Sequence, residues 1–222
     1  MKSLFAIPIA IILGGTLVAG AVYFSLRQPS TPTGKGNPTF VRPIDSNDHI
    51  LGNPAAPVMI VEYSDFDCEY CKGFGETLAQ IVANEGADGK VAWVFRQFPL
   101  SEIHPNAFAH ARAAECAAQV AGNDAFWRFT DALFKNQPVD PASYGALAAA
   151  AGISSDAFAT CYANASSTLD ARINADRQNA FAAGAQGAPY SLILVKGRTP
   201  IVIDGAYSYD AVKQLVDQAL SK

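Results

Sequence analysis

Cys68-Glu69-Tyr70-Cys71 sets two thiols three residues apart, where an apolar run gives way to an amphipathic one. Residues 58–63 (Val-Met-Ile-Val-Glu-Tyr) read as a short buried strand and 64–67 as a turn, after which Phe74, Leu78, Ile81 and Val82 recur at helical spacing. That pattern predicts Cys68 at a helix N-terminus, where unpaired backbone N–H groups and the positive end of the helix dipole favour a thiolate over a thiol. Cys71 lies one turn further on, near enough to close a disulfide or to resolve a mixed one. Such a pair is suited to thiol–disulfide exchange, in which a thiolate attacks a disulfide sulfur in line.

Two other readings of the pair are weaker. Structural zinc takes about four ligands, yet no second C-x-x-C and no H-x-x-x-H accompanies this one, and His104 and His110 are six apart and far along the chain. Inert core cysteines have no reason to stand three apart at a strand-to-helix turn. No zinc site and no cofactor is therefore expected. A two-thiolate site for a soft metal such as Cu(I) stays open as a binding-module alternative. A net charge of −4 leaves no basic footprint for nucleic acid.

The elements that must position the cysteines can be read outward from them. Residues 91–95 (Val-Ala-Trp-Val-Phe) read as a second strand, making a strand–helix–strand unit that normally forms a parallel pair with a right-handed crossover. From about 104 to 184 helical signals dominate, with caps at Asp124, at Asp140-Pro141 and at Ser154 or Ser155. Residues 190–196 and 199–203 then read as a hairpin around Lys196-Gly197-Arg198, and Ala211, Leu215, Val216 and Leu220 as a closing helix. Gly52-Asn53-Pro54 reads as a turn introducing the first clear strand.

Residues 4–26 contain no charged side chain and are long enough to cross a bilayer core. They lack a good cleavage site, so an uncleaved N-terminal membrane anchor helix (1–27) is favoured over a cleaved signal segment, followed by a Pro/Ser/Thr/Gly linker (28–43) and a folded domain (44–222). The flanking charges give no clear orientation. An even set of four thiols fits an oxidising space, which places the domain on the extracytoplasmic, periplasmic or cell-envelope side of the membrane.

Taken together, the elements resemble the thioredoxin fold with an inserted all-helical subdomain, an α/β class, and more narrowly the DsbA-like thiol-disulfide oxidoreductases. The likeness covers about 44–222 and rests on three pieces in the family's order: Tyr-Ser-Asp-Phe-Asp-Cys68-Glu-Tyr-Cys71-Lys, then Phe95-Arg96-Gln97-Phe98-Pro99-Leu100, then Gly187-Ala188-Pro189. It implies that Cys68 is the nucleophile and Cys71 the resolving thiol of a redox disulfide. It further implies that Pro189 is a cis-proline beside them, with Ala188 offering its backbone to an extended substrate. A carboxylate in the apolar strand, Glu62, is costly to bury unless protonated or paired. The resemblance implies that it accepts and returns protons near Cys71; the other reading is that Glu62 points outward from a half-exposed strand. Some members of the resembling family carry a second, structural disulfide in the helical region, here Cys116–Cys161.

The sequence departs from DsbA itself between the cysteines. Tyr70 stands where DsbA has a histidine, and Glu69 adds a negative charge expected to raise the Cys68 pKa. His104 and His110 receive no role. The function expected is a membrane-tethered oxidoreductase exchanging disulfides with extracytoplasmic cysteine-containing polypeptides, as an oxidase, with a membrane or soluble redox partner resetting the site. Reductase or isomerase action on the same fold remains the alternative.

Overall fold

The computed structural model describes residues 36–164 and 167–221. Five strands form one sheet in the order β1-β3-β2-β4-β5: β1 His49–Gly52, β2 Val58–Ser64, β3 Val91–Gln97, β4 Tyr190–Val195 and β5 Ile201–Asp204. β2 and β3 run parallel from Val58↔Val91 to Ser64↔Gln97. Every other pairing is antiparallel. β2 and β3 are buried at every residue, which is why 58–61 and 91–95 read in sequence as apolar runs rather than alternating ones, with Glu62, Ser64, Arg96 and Gln97 as buried polar residues after them.

Helix α1, Glu69–Glu85, connects β2 to β3 and buries Cys71, Phe74, Gly75, Leu78 and Ile81. Four helices follow β3: α2 Ala107–Lys135, α3 Tyr144–Ala150, α4 Ser155–Ala163 and α5 Ser167–Ala183. α6, Tyr209–Leu220, closes the described chain. α2 breaks at Gly122, whose φ of 82° a side chain would rarely adopt, so the signal at Asp124 marks the restart of a helix rather than a separate element. β1 is the strand that the sequence reading lacked. Four residues ending in glycine carry too little pattern to announce an edge strand.

The sheet divides the core in two. Val58 and Ile60 pack with Phe74, Leu78 and Ile81 of α1, with α2 and with α6; Met59, Val61 and Tyr63 pack with Ala180 and Ala183 of α5. Arg96, fully buried in β3, ties this second face to the incoming chain. Its Nε donates to Asp48 at 3.0 Å, Nη2 to Asp48 at 3.1 Å and Nη1 to the Tyr63 hydroxyl at 3.1 Å. Arg42 completes the cluster on Asp48 at 2.7 Å and Asp176 at 2.9 Å. Burial alone would push the Asp48 carboxyl up, but the hydrogen bonds and charge of Arg96 outweigh it and hold it low.

The expected architecture is corrected on one point. Among the described residues no helix is long and apolar enough to cross a membrane. The longest, α2, is interrupted at Gly122 and carries Arg112, Glu115 and Asp124, which a lipid core would not accept. Residues 4–26, which carried the expectation of a transmembrane anchor, lie outside the described residues. The membrane tether, the membrane partner and the membrane-anchored periplasmic location are accordingly given up, and the function is considered without them.

Candidate active site

Cys68 is the N-cap of α1 and makes no side-chain cap of its own, so the first-turn N–H groups remain free to face its sulfur. Its thiol is pulled down to about 6. The largest cause is the hydrogen bond from the Cys71 thiol; burial opposes it, the Cys71 and Tyr70 backbone N–H groups add to it, and the Asp65 charge works against it. The opposing carboxylate is thus Asp65 and not Glu69, which is exposed on the first turn of α1. The sequence expectation for Glu69 fails because its side chain projects into water, where its field is screened.

Cys71 behaves in the opposite sense. It is fully buried, and burial, the bond to Cys68 and the charges of Cys68 and Glu62 push its thiol well above the ordinary value. The Asp65 N–H donates to its sulfur at 3.4 Å. At neutral pH the reduced pair is therefore one thiolate and one thiol.

Glu62 lies on the same side of β2 as Val58 and Ile60, the side covered by α1, and is fully buried. The outward-pointing alternative is excluded. Burial raises its carboxyl to about 8, helped by the Cys68 charge and opposed by Ser64, whose Oγ donates to Oε1 at 2.9 Å, and by the neighbouring Trp93 indole. Oε2 has no hydrogen-bond partner. The site thus holds a buried carboxyl, raised by desolvation, on the strand beneath the buried Cys71 thiol.

The opposite wall is the loop before β4. Ala188–Pro189 is a cis peptide, and the Ala188 carbonyl oxygen lies 3.4 Å from Cys68 Sγ, a hydrogen-bond distance when Cys68 is protonated. Pro189 is buried, and its own carbonyl accepts from the Gly205 N–H at 3.1 Å. Cys116 and Cys161 are joined, with sulfurs 2.06 Å apart, between α2 and α4. They belong to the helical subdomain, whereas Cys68 and Cys71 are the free pair at the sheet.

Two further residues enter that sequence reasoning left without a role. His104 Nδ1 lies 2.9 Å from Asp65 Oδ2, and His110 Nε2 lies 2.9 Å from Asp67 Oδ1 while its Nδ1 meets the Tyr144 hydroxyl. Asp65 is a hub: its carboxylate also accepts from the Leu100 N–H at 2.7 Å and the Asp67 N–H at 2.8 Å. Burial lowers both imidazoles. For His104 the hydrogen bond and charge of Asp65, helped by Cys68 and Asp67, outweigh burial and leave it above its ordinary value; for His110 burial wins. No local sequence signal connects His104 to an aspartate 39 residues earlier. The stretch Phe95–Leu100 carried only the family likeness, yet it is Leu100 that anchors this loop to Asp65.

The geometry agrees with what the chain is similar to. The family model described as Thioredoxin matches residues 45–218. The chain belongs to the thioredoxin family. Its fold is that of the DsbA-like thiol-disulfide oxidoreductases. BdbD from Bacillus subtilis in its oxidised form superposes with a TM-score of 0.70 at 23% identity, over 82% of this chain and 97% of that one. The probable disulfide bond formation protein D of Bacillus cereus is 33% identical over 143 residues, covering 63% of this chain and 62% of that protein. A Na(+)/H(+) antiporter NhaA 1 from Mycolicibacterium gilvum is 37% identical over 134 residues, 55% of this chain. The chain spans about a fifth of the length of the curated antiporters it matches first.

Proposed function

We propose that the chain donates disulfides to cysteine-containing polypeptides through Cys68 and Cys71. The observation that carries this is the opposed ionisation of the pair, with Cys68 pulled down to about 6 and Cys71 pushed well up. A stable Cys68 thiolate favours the reduced form of the centre, which makes its disulfide an oxidant and makes Cys68 the better leaving group.

In the oxidised centre a substrate thiolate attacks Cys68 Sγ. The Cys68–Cys71 bond breaks, and Cys71 leaves with the electron pair. Its high proton affinity is met by the carboxyl of Glu62, which takes a proton back from solvent afterwards. A second substrate thiolate then attacks its partner sulfur in the mixed disulfide and displaces Cys68 as a thiolate. Two substrate thiols are oxidised to a disulfide, one of their protons stays on Cys71 and the other goes to solvent. The Ala188 carbonyl, facing Cys68 Sγ, is placed to accept a backbone N–H from an extended substrate at that moment. Pro189 holds that carbonyl in position, and Cys116–Cys161 serves as a structural brace of the helical subdomain.

The test is the reduction potential of Cys68–Cys71 against glutathione, with Cys116 and Cys161 resolved separately by thiol trapping. A potential well above the glutathione pool supports donation; one below it reverses the direction and makes the protein a reductase. Metal retained on the reduced chain without exchange activity would replace the enzyme reading by a soft-metal module.

A further inference from the structure

Asp65 stands in a place that should work against the site. Its backbone holds both cysteines, the carbonyl accepting the Cys68 N–H at 3.2 Å and the N–H donating to Cys71 Sγ at 3.4 Å. Its carboxylate is fully buried in the same turn. A bare buried carboxylate there would oppose a thiolate on Cys68 by like-charge repulsion. The group that meets it is His104, whose imidazole is 23% exposed and so exchanges its proton with water.

We propose that His104 is the positioning cation of this site: paired with Asp65, it cancels the field of that carboxylate at Cys68 and sets the redox poise of the centre. The charge comes from the loop after β3 instead of from the residue before the second cysteine, where Tyr70 stands. This inference rests on the disulfide-exchange reading above.

The other charged groups around the pair do not substitute for His104. Asp67 is engaged by buried His110, which also meets Tyr144. Glu102, on the same loop, is exposed and paired with Arg177 of α5. Glu62 stays protonated below about pH 8, and Cys71 remains a thiol. The geometry also separates charge from contact. Since Nδ1 faces Asp65, it keeps its hydrogen and its bond when Nε2 loses a proton, so raising the pH removes the charge while leaving the contact. The oxidising power of the centre should therefore fall as His104 deprotonates.

Coupling of this kind is reciprocal. Oxidation removes two electrons and the Cys71 proton and joins the two sulfurs, so the thiolate charge vanishes, and His104 must then bind its proton less tightly by the same factor. The experiment is an NMR titration of the His104 ring in the wild-type chain, reduced and oxidised, with thiolate absorbance of Cys68 followed in wild type and His104→Gln. Glutamine keeps an N–H for Asp65 but no charge. The ring should titrate about 0.5–1 unit lower in the oxidised chain, and the Cys68 midpoint should rise by a similar amount in His104→Gln. A full unit is tenfold in the thiol–disulfide equilibrium, about 30 mV for a two-electron couple. Equal ring titrations in the two redox states, or an unmoved Cys68 midpoint in a folded variant, overturn the proposal. If the variant does not fold, the wild-type titration decides alone. Neither readout needs a substrate, so a chain that shows the coupling but oxidises no thiols refutes the exchange reading and leaves the role of His104 standing.

Discussion

Replacing Glu62 by glutamine should make the protein more stable and less competent, by an amount that depends on pH in a calculable way. Burial raises the Glu62 carboxyl from 4.5 to about 8. Between those values the folded chain holds a proton that the unfolded chain has released, so stability falls as pH rises across that window, at up to about 1.4 kcal/mol per unit. At about pH 7, which is about 2.5 units above the carboxyl's ordinary value of 4.5, the cost is about 3 kcal/mol, and it levels near about 5 kcal/mol above about pH 8. Glutamine has no such proton to lose, and its amide can still accept from Ser64 Oγ, leaving its NH₂ where Oε2 already lacks a partner. The stabilisation by Glu62→Gln should therefore be small near pH 4 and reach about 3 kcal/mol near pH 7. Urea unfolding of both oxidised proteins over that pH range measures it, because oxidation removes the Cys68 charge and the remaining groups cancel in the difference. A difference that stays flat with pH refutes the argument, since Glu62 would then ionise as an exposed carboxylate does. Disulfide transfer by the variant should slow by about tenfold to a hundredfold through loss of the proton carrier.

With Cys71→Ser, a cysteine-containing peptide disulfide should accumulate as a mixed disulfide on Cys68, visible by non-reducing mass spectrometry, whereas Cys68→Ser should trap nothing; trapping on any other cysteine refutes the assignment. Removing both Cys116 and Cys161 opens a bridge spanning 45 residues and should cost about 4 kcal/mol in the chain-entropy model. The Cys68–Cys71 potential should be unchanged in that variant, and a folded variant that has lost exchange would make the helical-subdomain bridge the redox centre. Because the folded Cys68 thiol lies at about 6 and its ordinary value is 9.0, the stability of the reduced chain relative to the oxidised one should rise with pH through that window, lose this contribution as pH falls through about 6, and decline again above about 9, where the raised Cys71 thiol keeps its proton only in the folded chain. Thermal unfolding of both redox states across that range measures this, and a constant gap would mean that the Cys68 thiol is not depressed.

How much of this was legible depended on whether the physics was local. Cys68 at a helix start followed from Phe74, Leu78 and Ile81 falling on one face, and the sheet-buried strands from the short apolar runs 58–61 and 91–95. Asp65 and His104 were invisible for the opposite reason, being brought together only when the loop after β3 docks on the turn before Cys68. The same applies to Arg96. It reads as a polar interruption after Val-Phe, yet it lies fully buried because Asp48 and Arg42 come from a segment that reads only as a loop. Glu69 misled because sequence adjacency to Cys68 says nothing about which way a side chain on the first helical turn points.

The two cysteines owe their difference to the register of one helix on one strand. Cys68, at the N-cap, receives the free N–H groups of the first turn, while Cys71, one turn on, is carried beneath the helix onto β2. β2 alternates faces, so the residue at position 62 must lie on the side of Val58 and Ile60, under α1, and a slip by one residue would send it toward α5 and the cluster around Tyr63. The buried carboxyl, the buried thiol and the exchange thiolate are thus fixed by a single packing register. A chain that only had to be stable would place an apolar residue at 62; a chain whose Cys71 must be reprotonated in a dry site needs a neutral acid there. The predicted opposite signs of Glu62→Gln, stabilising for the fold and slowing for disulfide transfer, follow directly from that placement.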